Sequence, residues 1–285
     1  LLWIGSFLNQ NNMGIQKIDD ILYMDEIDEP ALSRYPEDAH VEFRNVSFAY
    51  NTTTILKEVS FTANPGTVTA LVGPSGAGKS TIAMLAARFW DIQDGEILIG
   101  NVPIKEIPTS VLMDNIALVF QDNMLFFDTI EENIRMGNKT ATFEDVKRAA
   151  CAAQCHEFIE ALPDGYQTLV GEGGTYLSGG EMQRLALARA ILKDAPVILL
   201  DEATAFADPE NEGKILEAFS HLIKGKTVLV IAHRLGTITN ADHILYLDKG
   251  MITEKGTHEE LLALHGAYAH MWKTYNRAKE WIIDR

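Results

Sequence analysis

The stretch that most constrains this chain runs Gly73, Pro74, Ser75, Gly76, Ala77, Gly78, Lys79, Ser80, Thr81, directly after the apolar run TVTALV. It puts three glycines and a lysine at the mouth of a buried strand, where glycine only weakens regular structure. The spacing fits G-x-x-x-x-G-K-[ST], with Gly73, Gly78, Lys79 and Ser80 in the fixed positions. A strand before and a helix after are the setting this pattern requires. There, glycines let backbone N–H groups curl around phosphate oxygens, and the helix N-terminus adds positive potential. Lys79 would reach the β and γ phosphates and Ser80 would offer its hydroxyl to Mg²⁺. The nine residues from Gly73 to Thr81 are therefore expected to hold a triphosphate.

The remaining pattern says what surrounds that turn. VEFRNVSFAY alternates from Val41, and KEVSFTA, TVTALVG and GEILIG follow across turns, which predicts an antiparallel layer beside a parallel one. IALVFQ is another apolar run. From Thr129 to Leu162 the chain turns helical and Ala-rich, with Pro163-Asp164-Gly165 as a stop, which predicts a helical subdomain over about 122–190. Next come PVILLDEA, a helix from Pro209 to Ile223, KTVLVIAH, HILYLDKG and a helix pair from Thr257. Nearly all-apolar strands alternating with helices indicate a parallel sheet covered on both faces. The expected fold is α/β: a P-loop NTPase core with a parallel sheet, an antiparallel β subdomain and an α-helical subdomain.

Composition narrows the partners. With 24 Lys and Arg against 40 Asp and Glu, the net charge is −16, which repels a nucleic-acid backbone. Cys151 and Cys155 have no second Cys or His pair to complete a metal set, so both are expected to pack as small hydrophobes in a reducing, cytosolic setting. LLWIGSFL at the start is far short of the roughly 20 residues a bilayer span needs. Ile15, Ile18, Ile21 and Leu22 recur at helical spacing before the acidic DEIDEP, so residues 1–36 are expected to be the end of a longer helix and a linker, and 37–285 a nucleotide-binding domain.

Two further stretches carry chemistry. In VILLDE an apolar strand delivers Asp201 and Glu202 to its C-terminal edge, where ligands sit in such sheets. Asp201 would hold Mg²⁺ and Glu202 would poise the attacking water. LSGGEMQR, Leu177 to Arg184, resembles the signature sequence of ATP-binding cassette (ABC) ATPases and lies where they carry it, between the phosphate loop and the acidic strand. The resemblance implies that Ser178, Gly179, Gly180 and Glu181 cover the γ-phosphate of ATP held by a second copy. It also assigns Gln121 to Mg²⁺ and the membrane helices, His233 to the γ-phosphate, and Tyr50 to stacking on adenine.

The resemblance covers roughly Val41 to Tyr275. It implies ATP and Mg²⁺ as ligands, a homodimer or heterodimer of nucleotide-binding domains, a transmembrane domain in the same chain, and a place on the cytoplasmic side of the cell membrane. TLVGEGGTYLSGGE is similar to the exporter-type loop, with Glu172 facing a coupling helix. Glu181 stands where many exporters have glutamine, and Phe206-Ala207 precede Asp208 where Ala-Leu is common; the same variants resemble iron-siderophore transporters of the exporter fold. The alternative is a soluble ABC-type ATPase acting on nucleic acid or ribosomes, but only about a hundred residues, without heptads, separate loop from signature. A kinase on the same loop leaves the signature unexplained.

Overall fold

A computed structural model describes residues 27–120, 124–201, 209–232 and 238–283. Strands β1 (Val41–Tyr50) and β2 (Thr53–Ala63) form a hairpin at Asn51, whose φ of 52° is the left-handed conformation such a tight turn needs. β3 (Val68–Val72) leads through the glycine-rich turn into α1 (Lys79–Ala86). β4 (Asp94–Ile99), β5 (Val102–Pro103), α2 (Thr109–Asn115) and β6 (Ile116–Val119) follow. The next segment holds β7 (Asp128–Thr129), α3 (Ile130–Arg135), α4 (Phe143–Ala152), α5 (His156–Glu160), β8 (Leu169–Val170) and α6 (Gly179–Lys193). The chain then runs through β9 (Val197–Asp201), α7 (Pro209–Ile223), β10 (Thr227–Ile231), β11 (His243–Asp248), β12 (Met251–Gly256), α8 (His258–Ala263) and α9 (Ala267–Ile283).

The central sheet has the order β12-β11-β3-β10-β9-β6, parallel except for β12 at its edge. Because side chains alternate across a strand, each strand feeds two cores. Ile198 and Leu200 of β9 pack with Leu185 and Leu187 of α6 and Ile215 of α7, whereas Val197 and Leu199 pack with Ile82 and Leu85 of α1 and Leu112 of α2. The antiparallel sheet β2-β1-β4-β5 closes the second core through Phe43, Leu56 and Ile97. Helices α1 and α6 thus lie on opposite faces of one sheet.

Two local expectations are corrected. The segment from Thr129 to Leu162 is not continuously helical: α4 ends near Ala152, and Gln154, at φ 56°, turns the chain before α5. That turn separates the two cysteines, burying Cys155 but leaving Cys151 exposed, so only Cys155 packs as a small hydrophobe. Its Sγ–H donates to the Ala150 carbonyl at 3.3 Å, and burial pushes the thiol pKa up, which keeps it protonated. The strand β12, Met-Ile-Thr-Glu-Lys-Gly, was not among the expected elements and pairs along β11. It is an edge strand with no fully buried residue, so it carries no run of apolar positions.

Of the expected membrane-helix end and linker, residues 1–26 lie outside the described residues. The part that is described lies along the domain. The Asp28 carbonyl accepts from Arg88 Nη2 at 2.9 Å, Glu29 accepts from the Thr109 N–H at 3.1 Å, and Arg34 pairs with Glu106 at 2.8 Å. Among the described residues no helix is long and apolar enough to cross a membrane.

Candidate nucleotide site

The glycine-rich turn sits at the C-terminal edge of the parallel sheet, directly after β3. Gly73, Gly76 and Gly78 have φ of 138°, 77° and 101°, conformations that side chains other than glycine rarely adopt. Two of them are also pressed by neighbours. A Cβ at Gly73 would overlap the Leu247 carbonyl oxygen, and one at Gly78 would come within 2.6 Å of the Leu56 side chain. Around Gly76, by contrast, nothing lies within 4 Å of such a Cβ. The turn is thus wedged at both ends against β11 and β2 while its middle faces open space, the shape of a cradle. Gly73→Ala is expected to cost on the order of 3 kcal/mol from strain and overlap. Calorimetry should record a fall in melting temperature of roughly 10 °C.

Lys79, the first residue of α1, is only 5% exposed. Its Nζ folds back over the turn and donates to the carbonyls of Gly73 at 2.9 Å and Pro74 at 2.8 Å. A buried ammonium needs such acceptors, and these place its charge over the backbone that the motif assigns to phosphates. Ser80 is half-buried and Thr81 buried in the same first turn. No acidic residue occupies that turn, so the helix N-terminus keeps its positive end unopposed.

Asp201 closes β9 and pairs in register with Ile231 of β10, which in turn pairs with Leu71 of β3, two residues before the glycine turn. The sheet therefore brings Asp201 and the turn to one edge, and β6 and β10 run to the same edge. Gln121, Glu202 and His233, assigned to the residues after these strands, lie outside the described residues. Among the described residues no cluster of three or more His, Cys, Asp or Glu could hold a metal. A cation here would rest on Ser80, Asp201 and substrate oxygens, an all-oxygen set suited to Mg²⁺.

Tyr50 ends β1 half-buried. Its ring meets Phe48 edge-on at 4.8 Å and Trp90 at 5.2 Å, and its hydroxyl donates to Met84 Sδ of α1 at 3.8 Å. An aromatic surface thus stands beside the helix that begins at Lys79. Trp90, 49% exposed, belongs to that surface and was not among the residues expected there. Its signal was faint: an aromatic pair, Phe89-Trp90, just past the helix end.

The signature stretch forms the start of α6. Ser178 is its N-cap and is exposed; Gly179 is half-buried and Gly180 buried. Glu181 completes a capping box: the Ser178 N–H and hydroxyl both donate to Glu181 Oε2 at 2.8 Å, and the Glu181 N–H donates to Ser178 Oγ at 3.3 Å. Since α6 and α1 cover opposite faces of the sheet, this end is not laid over the phosphate turn of its own chain. Glu172 is exposed in the preceding loop, where a Cβ at Gly171 would come within 2.6 Å of the Phe126 backbone. Met124, Phe126, Phe127 and Tyr176 are all more than half exposed on the two touching loops.

A strand, a glycine cradle and a helix led by a lysine define a P-loop nucleotide-binding protein, and the Ser-Gly-Gly helix start with its exposed serine, on the far face of the sheet, narrows that class. The chain belongs to the ABC transporter family, whose profile matches residues 56–205, and it is an ABC-type ATPase domain. It is 45% identical over 268 residues to the "ATP-dependent lipid A-core flippase" of Desulfotalea psychrophila, covering 93% of this chain and 47% of that protein. Over 237 residues it is 51% identical to the "Mycobactin import ATP-binding/permease protein IrtA" of Mycobacterium tuberculosis, covering 83% of this chain and 28% of that one. A solved structure, "Structure of a bacterial Atm1-family ABC exporter with ATP bound", superposes with a TM-score of 0.85 at 40% identity, over 93% of this chain and 47% of that one. The chain spans about half the length of these relatives or less. None of this supports the nucleic-acid alternative.

Proposed function

We propose that this domain drives substrate movement across a membrane by binding ATP between two copies or sister subunits and separating them on hydrolysis. The observation that carries this is the placement of the two half-sites: the cradle that starts α1 and the exposed serine end of α6 are on opposite faces of one sheet. Neither half can enclose a triphosphate alone, so a complete seam takes both from different subunits.

In this reading residues 73–81 and Tyr50 hold ATP, and Ser80, Gln121 and Asp201 hold Mg²⁺. Bound there, the ion would help neutralise the negative charge of the phosphate oxygens. Lys79, His233 and the Ser178 end of α6 in a second copy meet the γ-phosphoryl, and Glu202 orients water against it. Hydrolysis removes the group that both subunits grip, and the seam opens. To swing such a switch from about 1:99 to 99:1 the nucleotide must favour the closed state by around 5.5 kcal/mol, a demand that charge-assisted contacts from two sides can meet.

Residues 1–36 then form the end of the last membrane helix and the linker, and 37–285 the nucleotide-binding domain on the cytoplasmic side, with its helical subdomain over about 122–190. The apolar residues Met124, Phe126, Phe127 and Tyr176, with Glu172, present the face that meets the membrane domain. One relative is named for lipid A-core flipping and another for mycobactin import; the ATPase domain is what they share with this chain, and cargo choice belongs to the membrane part.

The test uses the natural full-length chain. It is expected to partition into membranes, and Ser178→Ala is expected to cut ATP turnover at least tenfold while leaving nucleotide binding to residues 73–81 within about twofold, since it removes one hydroxyl hydrogen bond from the opposite side only. A soluble full-length chain, or full turnover in Ser178→Ala, would overturn the proposal.

A further inference from the structure

Glu181 does more in this chain than end a helix tidily. Its carboxylate takes both donors of Ser178, the backbone N–H and the hydroxyl, at 2.8 Å each. Those donors lie at the exposed end of α6, where the seam proposed above would place a γ-phosphate. On the other half-site Lys79 does the complementary thing: its ammonium is held by the Gly73 and Pro74 carbonyls. Each half of the seam is thus satisfied internally, Ser178 by a carboxylate and Lys79 by neutral carbonyl oxygens. An anion sits on the anion-binding half, and carbonyl oxygens sit on the cation.

We infer that Glu181 is an internal stand-in for the γ-phosphate, a residue that holds Ser178 in the separated state and must be displaced before the seam can close. The inference rests on the reading of α6 as the second half of the ATP site, and it replaces the expected γ-phosphate-covering role of Glu181 with one in the separated state. Its chemistry follows from the donor inventory. A serine has one hydroxyl proton; while that proton points to Glu181 Oε2, Ser178 offers an incoming phosphate only lone pairs, which repel it. Closure therefore requires the hydroxyl to rotate and the carboxylate to swing away, leaving the first-turn amides of α6 open to the anion. Even displaced, a carboxylate three residues from Ser178 opposes a phosphate of the same sign. Both effects lower affinity for ATP without touching the cleavage step.

The structure holds its own control for a merely structural cap. Thr257 and Glu260 form the same box at the start of α8, with the Thr257 N–H donating to Glu260 Oε2 at 2.8 Å and the Glu260 N–H donating to Thr257 Oγ1 at 3.3 Å. Glutamine keeps the capping geometry but removes the charge. In the full-length chain Glu181→Gln is expected to lower the KM for ATP on the order of tenfold, the scale of one unit charge removed at close range near a protein surface. kcat should change far less than KM, because a group that opposes binding acts mainly on KM. The melting temperature should be unchanged, and Glu260→Gln should move neither constant. A KM unaltered by Glu181→Gln while Ser178→Ala still cuts turnover at least tenfold would overturn the stand-in and leave the seam intact. Full turnover in Ser178→Ala would overturn both. Equal shifts in KM from Glu181→Gln and Glu260→Gln would assign the effect to capping and overturn the inference as well.

Discussion

Lys79→Ala is expected to weaken ATP binding about a hundredfold, the consequence of losing roughly 3 kcal/mol of charge-assisted contact. The lysine is buried at the root of α1, and its two carbonyl partners hold the ammonium over the cradle. No folding cost stands between that position and a phosphate: the ammonium exchanges neutral carbonyl oxygens for charged ones. Alanine leaves the Gly73 and Pro74 carbonyls without that donor and the phosphates without their cation. Lys79→Arg is not expected to rescue binding, because a planar guanidinium does not fit where a compact ammonium turns back on its own loop. Isothermal titration with ATP measures both variants, and wild-type affinity in Lys79→Ala would remove the basis for reading residues 73–81 as a phosphate cradle.

Glu202→Gln separates binding from chemistry. The residue follows Asp201 in sequence and is assigned to orient the attacking water, a role in which loss of a general base costs about 10²–10⁴ in rate. Glutamine has the same size and no basicity. ATP affinity should therefore survive within a few fold while turnover collapses, and ATP should then trap dimers that gel filtration resolves from monomers. Normal turnover in Glu202→Gln would take the water-orienting role away from this position.

The phosphate turn, the Asp201 strand and the start of α6 were all legible in the sequence because each combines a strong local signal with a fixed neighbour. Gly73 to Ser80 is glycine where left-handed backbone is needed, and VILLD is apolar because β9 is covered on both faces. Helix α7 spans the expected Pro209 to Ile223 because a proline starts it and an apolar stripe carries it. What escaped was set by tertiary contacts. Nothing in DVKRAACAAQCHEFIEAL marks Gln154 as the turn that separates the two cysteines, and β12 is polar because only its partner β11 is in the core. The aromatic wall of Trp90 beside Tyr50 depends on two segments forty residues apart meeting at α1. The exposed state of Ser178 and its partnership with Glu181 are likewise properties of the folded helix, although the S-x-x-E pattern was written in the chain.

One fully buried side chain has a mechanical consequence. Asn133 on α3 accepts from the Phe126 N–H at 3.0 Å and donates to the Phe126 and Thr129 carbonyls at 3.0 Å, while Arg189 of α6 donates to the Asn133 carbonyl at 2.8 Å and to its amide oxygen at 3.1 Å. Arg189 also reaches the Met124 carbonyl at 3.3 Å. The loop bearing Met124 and Phe126 and the shaft of α6 are thereby spliced into one stiff lever. A push on those exposed apolar residues would be carried along that helix to the serine at its far tip.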